Sequence, residues 1–394
     1  MPRWSEEYTY IETKKGMDQF ARENENAEWL CFDTEFVGEK RFLTQLCLIQ
    51  IVTQAGNYLI DPFKVNDLSH FLHFVEAPDV VKITHAGDND YRLLNQDHDI
   101  VPVNVFDTQL AAGFAGYRFP ISFRRLVDQE LGVSLNKGLT VVDWEKRPLG
   151  MRYLQYALYD VLPLPDLWRS LSRRLEKNDR LSWAKDEFQN WEKDTFYEKD
   201  PNREAIKSNL IKSLKTKEQV FLVRLFEWRR KRAQAKDYSK EMILPYKMMG
   251  QIVRSISSGR DGLLHNRRLP SRIGERYGAE FEKMYKRSVT VEEKEVLKQI
   301  PSQDNTDPKE ELILEFLYVL IKSKCLEKGL STDMVLPRNI LKRIKANPAY
   351  IEEELNIGWR KQFLGEDLLY WLSNFERLQM ELVNDRVLLK LDEQ

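Results

Sequence analysis

The hydrophobic positions near the start of the chain fall into short runs separated by polar turns, a pattern that predicts strands. Residues 29–37, Trp-Leu-Cys-Phe-Asp-Thr-Glu-Phe-Val, form the first run, and an apolar run of this length is typical of a buried strand. Residues 42–52 and 58–60 form the next two, with the turn sequence Gln-Ala-Gly-Asn at 54–57 between them. Together the three runs predict a three-stranded meander.

Beyond residue 62 the pattern alternates between helix and strand. Residues 67–76 place apolar side chains at helical spacing, and residues 80–84 and 101–106 are strand-like. Asp90 follows a glycine and is expected near the start of a helix, while Asp107 is expected to cap the N-terminus of the next helix. The whole segment predicts a mixed sheet flanked by helices, in which three antiparallel strands continue into parallel ones.

Two acidic residues, Asp33 and Glu35, interrupt the first apolar run. Side chains on a strand alternate between its faces, so both carboxylates project from one face of a core strand. Burying unpaired charge costs several kcal/mol, which leads to the hypothesis that a cation binds there. The spacing alone is weak evidence because two further pairs share it: Asp128 with Glu130, and Asp143 with Glu145. The strand context and the acids downstream set Asp33 and Glu35 apart.

A third acidic element lies in a helical stretch at residues 150–162. Tyr156 and Asp160 stand four residues apart there, so they share one face of the predicted helix. Of the 16 tyrosines, Tyr156 alone is followed by aspartate at the fourth position, although it could equally be an ordinary half-buried aromatic. Pro163 and Pro165 predict a kink or break just beyond Asp160.

Size and composition favour a multidomain intracellular protein. A chain of 394 residues that is 42% hydrophobic is expected to form two or three domains. The three cysteines, Cys31, Cys47 and Cys325, lack metal-type spacing, which disfavours zinc and disulfides and favours reduced thiols in a cytosol. No stretch approaches the ~20 apolar residues of a membrane span, so we expect a soluble, cytoplasmic protein without a membrane partner.

The net charge of −1 hides a strong asymmetry along the chain. Residues 203–287 contain 22 lysines and arginines and 9 acids, a net charge of +13, which leaves about −14 for the remainder. A basic module joined to an acidic one suggests phosphate binding beside a metal site.

A series of motifs across residues 29–170 resembles one known family. The motifs are Phe-Asp-Thr-Glu-Phe-Val at 32–37, Gln-Leu-Cys-Leu-Ile-Gln-Ile at 45–51, His-Ala-Gly-x-x-Asp at 85–90, Phe-Asp-Thr-Gln-Leu at 106–110, Asp-Trp-x-x-Arg-Pro-Leu at 143–149 and Tyr-x-x-x-Asp at 156–160. In order and spacing they resemble ribonuclease D, which belongs to the DEDD exonucleases. The resemblance implies an α/β exonuclease domain of the ribonuclease H-like type at residues 1–190.

Later segments resemble the helical domains that accompany this family. Leu-x-x-Trp-Arg at 225–229, followed by Ile-Leu-Pro at 243–245, resembles the helicase-and-ribonuclease-D C-terminal (HRDC) domain, and Gly-Trp-Arg-Lys-Gln-Phe-Leu-Gly at 358–365 resembles a distal helical domain. The resemblance therefore implies two all-α domains after the exonuclease: a linker at 191–212, a basic HRDC domain at 213–292, a linker at 293–307 and a second HRDC-like domain at 308–394.

The resemblance also assigns the site. It implies four metal-binding acids, which are Asp33, Glu35, Asp90 and Asp160. Tyr156 is the fifth catalytic residue, and Gln155 stands where a sister branch carries histidine, so the tyrosine branch matches. Carboxylates without a nearby histidine or cysteine ligand favour Mg²⁺ or Mn²⁺ over zinc.

In the mechanism that the resemblance implies, two divalent ions clamp the attacking and leaving oxygens of a phosphodiester. Asp33 bridges both ions, and Asp90 supports one of them through water. Glu35 and Asp160 hold the ion that activates the attacking water. Tyr156 orients that water and is a poor base, because the ordinary pKa of tyrosine is about 10.

Candidate nucleic-acid contacts fall into two groups. In the exonuclease domain they are Phe36, Gln45, His85 and Lys137, with Phe36 stacking on a base and the others reaching sugar or phosphate. Each has an alternative: core packing for Phe36, a strand polar position for Gln45, a strand-end cap for His85 and a solvated loop charge for Lys137. In the HRDC domain they are Arg229, Arg230, Lys231 and Arg232, whose alternative is a solvated or packing face.

The function that the resemblance implies is metal-dependent 3′-5′ exoribonuclease activity on single-stranded 3′ ends of stable-RNA precursors such as those of tRNA, with release of nucleoside monophosphates. A DNA exonuclease is the alternative enzyme, since nothing in the motifs reads the 2′-hydroxyl. A catalytically silent nucleic-acid-binding scaffold is the alternative of another class. The presence of all five motif residues argues against that scaffold.

Overall fold

The computed structural model describes residues 3–135, 142–300 and 308–391, apart from 339, 341–342, 345–349 and 385. These residues form two compact units, and each unit is discontinuous in sequence. The first unit contains the described parts of Met1–Phe36, Leu46–Tyr197 and Asn305–Gln394, and the second contains those of Val37–Gln45 and Glu198–Asp304.

A six-stranded mixed sheet is the centre of the first unit. Its strands are β1 (Thr9–Ile11), β2 (Trp29–Val37), β3 (Gln45–Val52), β4 (Asn57–Ile60), β5 (Val81–Thr84) and β6 (Val105–Asp107). Their order is β1-β4-β3-β2-β5-β6. Strands β3 and β4 are antiparallel, whereas β1 runs parallel to β4, and β5 runs parallel to both β2 and β6. The prediction of a mixed sheet is confirmed, and the strand with the acid pair lies between β3 and β5.

Two strands differ from the sequence prediction. Strand β1 was not predicted, because it has only three residues and only Ile11 among them is buried. Strand β6 begins at Val105 instead of residue 101, and Asn104 before it has a positive φ of 56°. A residue in this region of the Ramachandran map cannot continue a strand, so the apolar run at 101–104 is a connection.

Helices α1 to α9 complete this part of the first unit. They are α1 (Lys14–Glu23), α2 (Ser69–Glu76), α3 (Asp88–His98), α4 (Thr108–Phe114), α5 (Phe123–Leu131), α6 (Met151–Tyr159), α7 (Leu164–Lys177), α8 (Leu181–Phe188) and α9 (Asp194–Tyr197). Phe32 of β2 packs edge-on against Phe71 of α2 and Tyr91 of α3, with ring centroids 5.5 Å apart in each pair. The break beyond Asp160 falls where the prolines predict it, between α6 and α7.

The second unit is helical. Its helices are α10 (Arg203–Ile206), α11 (Thr216–Lys236), α12 (Lys240–Ile243), α13 (Tyr246–Ser255), α14 (Gly259–Leu264), α15 (Ser271–Lys286) and α16 (Val291–Lys298). The chain between β2 and β3 joins this unit: the Asp237 carboxylate accepts a hydrogen bond from the backbone of Phe42, and the Lys40 carbonyl accepts one from Ser239.

The predicted linker at 191–212 is instead folded chain. Trp191 and Tyr197 pack in the core of the first unit, whereas Ala205 and Ile211 pack in the core of the second. Because these apolar residues are dispersed among charged ones, the composition of the segment as a whole is polar and predicted a linker. The predicted linker at 293–307 likewise contains most of α16, which a capping box of Thr290 and Glu293 begins.

Arg229, predicted to contact nucleic acid, is a structural residue. Only 2% of its side chain is exposed. Its Nε donates to the carbonyl oxygens of Lys240 at 3.0 Å and Leu244 at 2.7 Å, and its other nitrogens pair with Glu204 and Glu241. The prediction for Arg229 is therefore wrong, because a side chain that is almost fully buried among carbonyl and carboxylate acceptors is not accessible to phosphate.

We expect Arg229→Ala to destabilise the second unit by about 3 kcal/mol, because it removes the charged donor from two carbonyl groups, that of Lys240 at the start of α12 and that of Leu244 just after its end. Urea unfolding of the full chain, followed by tryptophan fluorescence, measures this change. Lys231→Ala is the control, since Lys231 is 67% exposed and surface substitutions usually change stability by no more than about 0.5 kcal/mol. Equal stability of the two variants would contradict the structural role.

The C-terminal segment was predicted as a separate all-α domain, and this prediction is wrong in two respects. After α17 (Pro308–Lys328), α18 (Thr332–Val335) and α19 (Gly358–Ser373), the chain forms a hairpin of β7 (Leu378–Val383) and β8 (Arg386–Leu391). The buried apolar residues of this segment also belong to the same core cluster as those of the sheet. The apolar helices that suggested an independent core instead pack against helices of the first unit.

Trp359 shows how the C-terminal segment packs. Its ring lies edge-on to Phe114 of α4, with centroids 4.8 Å apart, and stacks on Trp183 of α8 at 5.9 Å. Its indole nitrogen donates to Glu187 at 2.7 Å, and Arg360 pairs with the same carboxylate at 2.6 Å. Gly116 has a φ of 95° and lies so close to the Gly329 carbonyl that a Cβ there would be 2.7 Å from that oxygen. Residues far apart in sequence thus form one packed body.

Cys31, Cys47 and Cys325 are buried, and none of the three forms a disulfide. Across the described ranges, no helix combines the length and the apolar character that a membrane crossing would require.

Candidate active site

Three carboxylates converge where β2 leaves the core. Asp33 and Glu35 occupy alternate positions of β2, and Asp160 is the residue that ends α6. One carboxylate oxygen from each residue lies within 4.8 Å of the other two, and all three side chains are half-buried. The alternation of β2 and the break before α7 together produce this cluster, which brings residues 127 positions apart into one site.

Asp90 lies beside this cluster without joining it. It is buried in the first turn of α3, and its Oδ1 accepts hydrogen bonds from the backbone N–H of Thr34, at 3.1 Å, and from the Thr34 hydroxyl. Its charge nevertheless raises the pKa of both Asp33 and Glu35. Thr34, which lies between the two strand acids, therefore fixes the fourth acid next to them.

Asp107 holds the start of α3, a role beyond the helix cap that the sequence predicts. Its Oδ1 accepts from the Leu110 backbone at 2.8 Å, which is the predicted cap, and its Oδ2 accepts from the Gly87 backbone at 3.1 Å. A Cβ at Gly87 would lie 2.5 Å from the Thr84 hydroxyl oxygen, so no larger residue fits. Asp107 and Gly87 thus set the position from which Asp90 reaches the site.

Burial and mutual repulsion make this group of acids hard to ionise. Burial raises the pKa of Asp33 well above its usual value, and the charges of Asp90, Asp160 and Glu35 raise it further. Burial, followed by the charges of Asp160 and Asp90, raises the pKa of Glu35 to about 8. Burial raises the pKa of Asp90 to about 7 and that of Asp160 to about 6. A bound cation would relieve both causes.

These shifts predict how the stability of the metal-free protein depends on pH. The folded pKa of Glu35 lies above its unfolded value of about 4.3, so stability from this group is present below that pH and is lost as pH rises towards about 8. In EDTA we therefore expect Glu35→Gln to be more stable than wild type at pH 8, by on the order of 2 kcal/mol, with the difference shrinking towards pH 4.5. Thermal unfolding across this range measures it, and a pH-independent difference would contradict the prediction.

Tyr156 lies on α6 four residues before Asp160. Burial raises the pKa of Asp160, and the nearby Tyr156 hydroxyl offsets part of that effect. Burial and the charges of Asp160 and Glu35 raise the pKa of Tyr156 above its usual value, so its hydroxyl keeps its proton at neutral pH. Arg124 of α5, for which the sequence gave no signal, is the cation whose charge lowers the Asp160 pKa.

The donor set of this site suits a hard divalent cation. Asp33, Glu35 and Asp160 offer only carboxylate oxygens, and their spacing allows one ion to be reached from all three. Mg²⁺ and Mn²⁺ prefer such ligands. The same set could not remain fully ionised at neutral pH without a cation, given the raised pKa values of these acids.

The candidate substrate contacts have different surroundings. Phe36 is 38% exposed at the end of β2, which excludes the core-packing alternative. Gln45 begins β3. His85 has protein partners for both ring nitrogens, the Thr108 hydroxyl at 3.0 Å and the Ile121 carbonyl at 3.2 Å, and burial lowers its pKa to about 4. These contacts favour the structural alternative for His85. Lys137 lies outside the described residues.

The rest of the basic run on α11 is mostly engaged within the second unit. Arg232 pairs with Glu280 at 2.9 Å and lies over the Trp228 ring at 4.9 Å, and Lys231 pairs with Glu227 at 2.7 Å. The Nε of Arg230 is buried and has no hydrogen-bond partner among the described residues. Arg229, Lys231 and Arg232 are thus paired with carboxylates, whereas Arg230 has no carboxylate partner among the described residues.

Comparisons with known proteins agree with this geometry. A 3′-5′ exonuclease family matches residues 8–176, and the HRDC domain family matches residues 218–284. Ribonuclease D of Bartonella henselae is 27% identical over 355 residues, covering 86% of this chain and 84% of the relative. Ribonuclease D of Pseudomonas paraeruginosa is 25% identical over 373 residues, covering 93% and 98%.

The fold is similar to a solved structure over nearly the whole chain. The crystal structure of Escherichia coli RNase D, an exoribonuclease involved in structured RNA processing, has a TM-score of 0.78 at 22% identity and covers 93% of this chain and 98% of that one. The exonuclease match includes β2, α3 and α6, which carry the acids and Tyr156, and the HRDC match lies within the second unit. The chain is therefore similar to ribonuclease D over nearly its whole length, with a 3′-5′ exonuclease match followed by an HRDC match.

Proposed function

We propose that this 3′-5′ exonuclease acts on RNA, shortening the single-stranded 3′ ends of stable-RNA precursors such as those of tRNA and releasing nucleoside 5′-monophosphates. The observation that carries the proposal is the cluster of Asp33, Glu35 and Asp160, whose oxygens lie within 4.8 Å of one another. The relatives named ribonuclease D support RNA as the substrate. The free thiols suit a reducing cytoplasm, where we place the activity.

The residues of the site would hold two Mg²⁺ or Mn²⁺ ions. When bound, such ions lower the pKa of water and neutralise charge that develops on the phosphate. Asp33, whose pKa responds to all three other acids, would be the shared ligand. Glu35 and Asp160 would complete one position, and Asp90, held by Thr34, would act on the other through water.

Tyr156 would orient the attacking water by a hydrogen bond. Its raised pKa keeps the phenol protonated, so it cannot take a proton from water at neutral pH. The Tyr156 hydroxyl lies near enough to Asp160 to lower the pKa of that carboxyl, which supports a position of the phenol beside the acids. Phe36, exposed at the end of β2, would stack on a base near the 3′ end, and Gln45 would contact the sugar–phosphate backbone.

A competition between RNA and DNA tests the substrate. Matched duplexes with 3′ single-stranded overhangs of the same sequence, one RNA and one DNA, are mixed with the full chain in Mg²⁺ and in Mn²⁺. We expect faster removal of the RNA overhang and 5′-monophosphate products. Faster removal of DNA would establish the DNA exonuclease alternative, and no metal-dependent turnover of either would favour the scaffold.

A further inference from the structure

The unpaired positive charge of the second unit lies mainly outside the basic run of α11, where the sequence predicted the nucleic-acid contact. Cations on α11 and α16 largely face carboxylates of the same unit, as Arg232 does with Glu280 and Lys298 does with Glu295. Residues 242–274 differ, since they contain six lysines and arginines and the single acid Asp261. This stretch comprises α13, α14 and the turn that leads into α15.

One hydrogen bond joins the two chain segments that carry three arginines of this stretch, and a fourth arginine follows closely in sequence. The Asn266 amide donates to the Ser255 hydroxyl at 2.6 Å, which joins the turn before α15 to the end of α13. Arg254 is the neighbour of Ser255 in sequence, and Arg267 and Arg268 follow Asn266. Arg272 comes four residues later, in the first turn of α15.

The turn that carries two of these arginines is rigid. The Asn266 side chain accepts from the Arg268 backbone at 2.9 Å, and the Asn266 carbonyl accepts from the Leu269 backbone at 2.9 Å. Leu269, at the end of this turn, is buried in the core of the second unit and so attaches the turn to that core. Little conformational entropy would be lost when a ligand binds, because the backbone is already ordered.

The four side chains are exposed and lack a carboxylate partner. Arg254, Arg267, Arg268 and Arg272 are all exposed, and across residues 3–135, 142–300 and the described part of 308–391 none has an acidic oxygen within 4.0 Å. Helix α15 begins at this point with no acid in its first turn and no side-chain cap. An arginine at a helix N-terminus is electrostatically unfavourable, so the fold leaves this positive potential uncompensated.

We propose that the surface formed by Arg254, Arg267, Arg268 and Arg272, here the arginine turn, binds the phosphate backbone of single-stranded RNA. It replaces the basic run of α11 as the contact of the HRDC domain. Guanidinium groups favour phosphate because they present several donors in a fixed plane. The proposal rests on the proposed function for the choice of RNA, whereas the phosphate chemistry follows from the arginines themselves.

Binding measured at several salt concentrations tests the arginine turn. The full chain carries Asp33→Asn in every sample, so that RNA is bound without being consumed. The test variant adds Arg267→Gln, Arg268→Gln and Arg272→Gln. The matched control adds Lys231→Gln, Lys286→Gln and Lys298→Gln, which remove the same charge from exposed cations that already have carboxylate partners.

We expect the test variant to bind a single-stranded RNA at least about tenfold more weakly at low salt, and the slope of log K against log salt to fall in magnitude by about two. The control should keep the wild-type slope. A single-stranded DNA of the same sequence should show the same loss, because the contact is to phosphate. An unchanged slope, an equal loss in the control or a loss confined to RNA would overturn the proposal.

Two further measurements keep this test separate from folding and from the proposed function. If the triple variant loses its cooperative thermal transition, the single change Arg268→Glu, at an exposed position, takes its place, with a steeper loss expected per residue. Turnover of a short RNA oligonucleotide, measured without Asp33→Asn, should be unchanged by the three lysine substitutions of the control. Absence of turnover in wild type would refute the proposed function. The binding comparison would still show whether the arginine turn binds RNA.

Discussion

Replacing Asp33 with asparagine should reduce turnover of RNA by at least about 10³-fold, equivalent to about 4 kcal/mol in the transition state. The carboxylate lies at the centre of the acid group, within 4.8 Å of oxygens from Glu35 and Asp160. Asparagine keeps the shape of the side chain but removes the negative charge that a shared divalent cation needs. Single-turnover assays across a range of Mg²⁺ concentrations separate weaker metal binding from slower chemistry.

Asp128→Asn is the matched control for this experiment. Asp128 precedes Glu130 with the same spacing as Asp33 and Glu35, but it is exposed on α5 and belongs to no acid cluster among the described residues. We expect full turnover in this variant. Metal-dependent turnover that persists in Asp33→Asn would refute the assigned site, and a comparable loss in Asp128→Asn would show that the assay reports something other than that site.

Trp359→Ala should destabilise the exonuclease domain by about 3–5 kcal/mol, although Trp359 lies almost two hundred residues beyond the last catalytic acid. Its indole is 2% exposed and packs between Phe114 and Trp183. Removing the ring leaves a cavity and deprives Glu187 of a donor. Urea unfolding of the full chain measures the loss, and residual turnover at 37 °C should fall with the folded fraction.

Tyr370→Ala provides the comparison on the same helix. Tyr370 is an aromatic residue of α19 that is 53% exposed, so its removal should change stability by no more than about 0.5 kcal/mol. If Trp359→Ala unfolded only a separate C-terminal transition and left the exonuclease transition where it was, the shared core would be refuted.

The sequence signals for the acid cluster of the first unit are local. Alternation along β2 places Asp33 and Glu35 on one face of the strand, and helical spacing places Tyr156 on the same face of α6 as Asp160. Each pair can therefore be predicted from a single secondary-structure element. The mixed sheet followed from the order of the apolar runs. The site residues that the sequence missed, Thr34 and Arg124, act through contacts between elements, and no spacing along the chain encodes such contacts.

The wrong predictions share a physical cause. Amino-acid composition does not show which side chains contact one another in the folded protein. Arg229, Arg230 and Arg232 are the same residue type. Arg229 nevertheless differs from the other two, because its side chain donates to the carbonyl groups of Lys240 and Leu244 on either side of α12. The apolar helices of 308–391 looked sufficient for a domain of their own, whereas their complementary surface lies on α4 and α8. The count of charged residues along the sequence identified the basic unit. The ion pairs in the structure are needed to show which of its cations lack a carboxylate partner.

The shared core has a consequence for how the enzyme is made. On the ribosome, the sheet and all four acids emerge before residue 197, and the helices that complete the core emerge only after more than a hundred intervening residues, which form most of the second unit. We expect a nascent chain that stops before residue 308 to expose apolar surface of α4 and α8 and to be a target for chaperones or proteases. Active nuclease would then appear only near the end of translation, so truncated products would be degraded without having acted on cellular RNA.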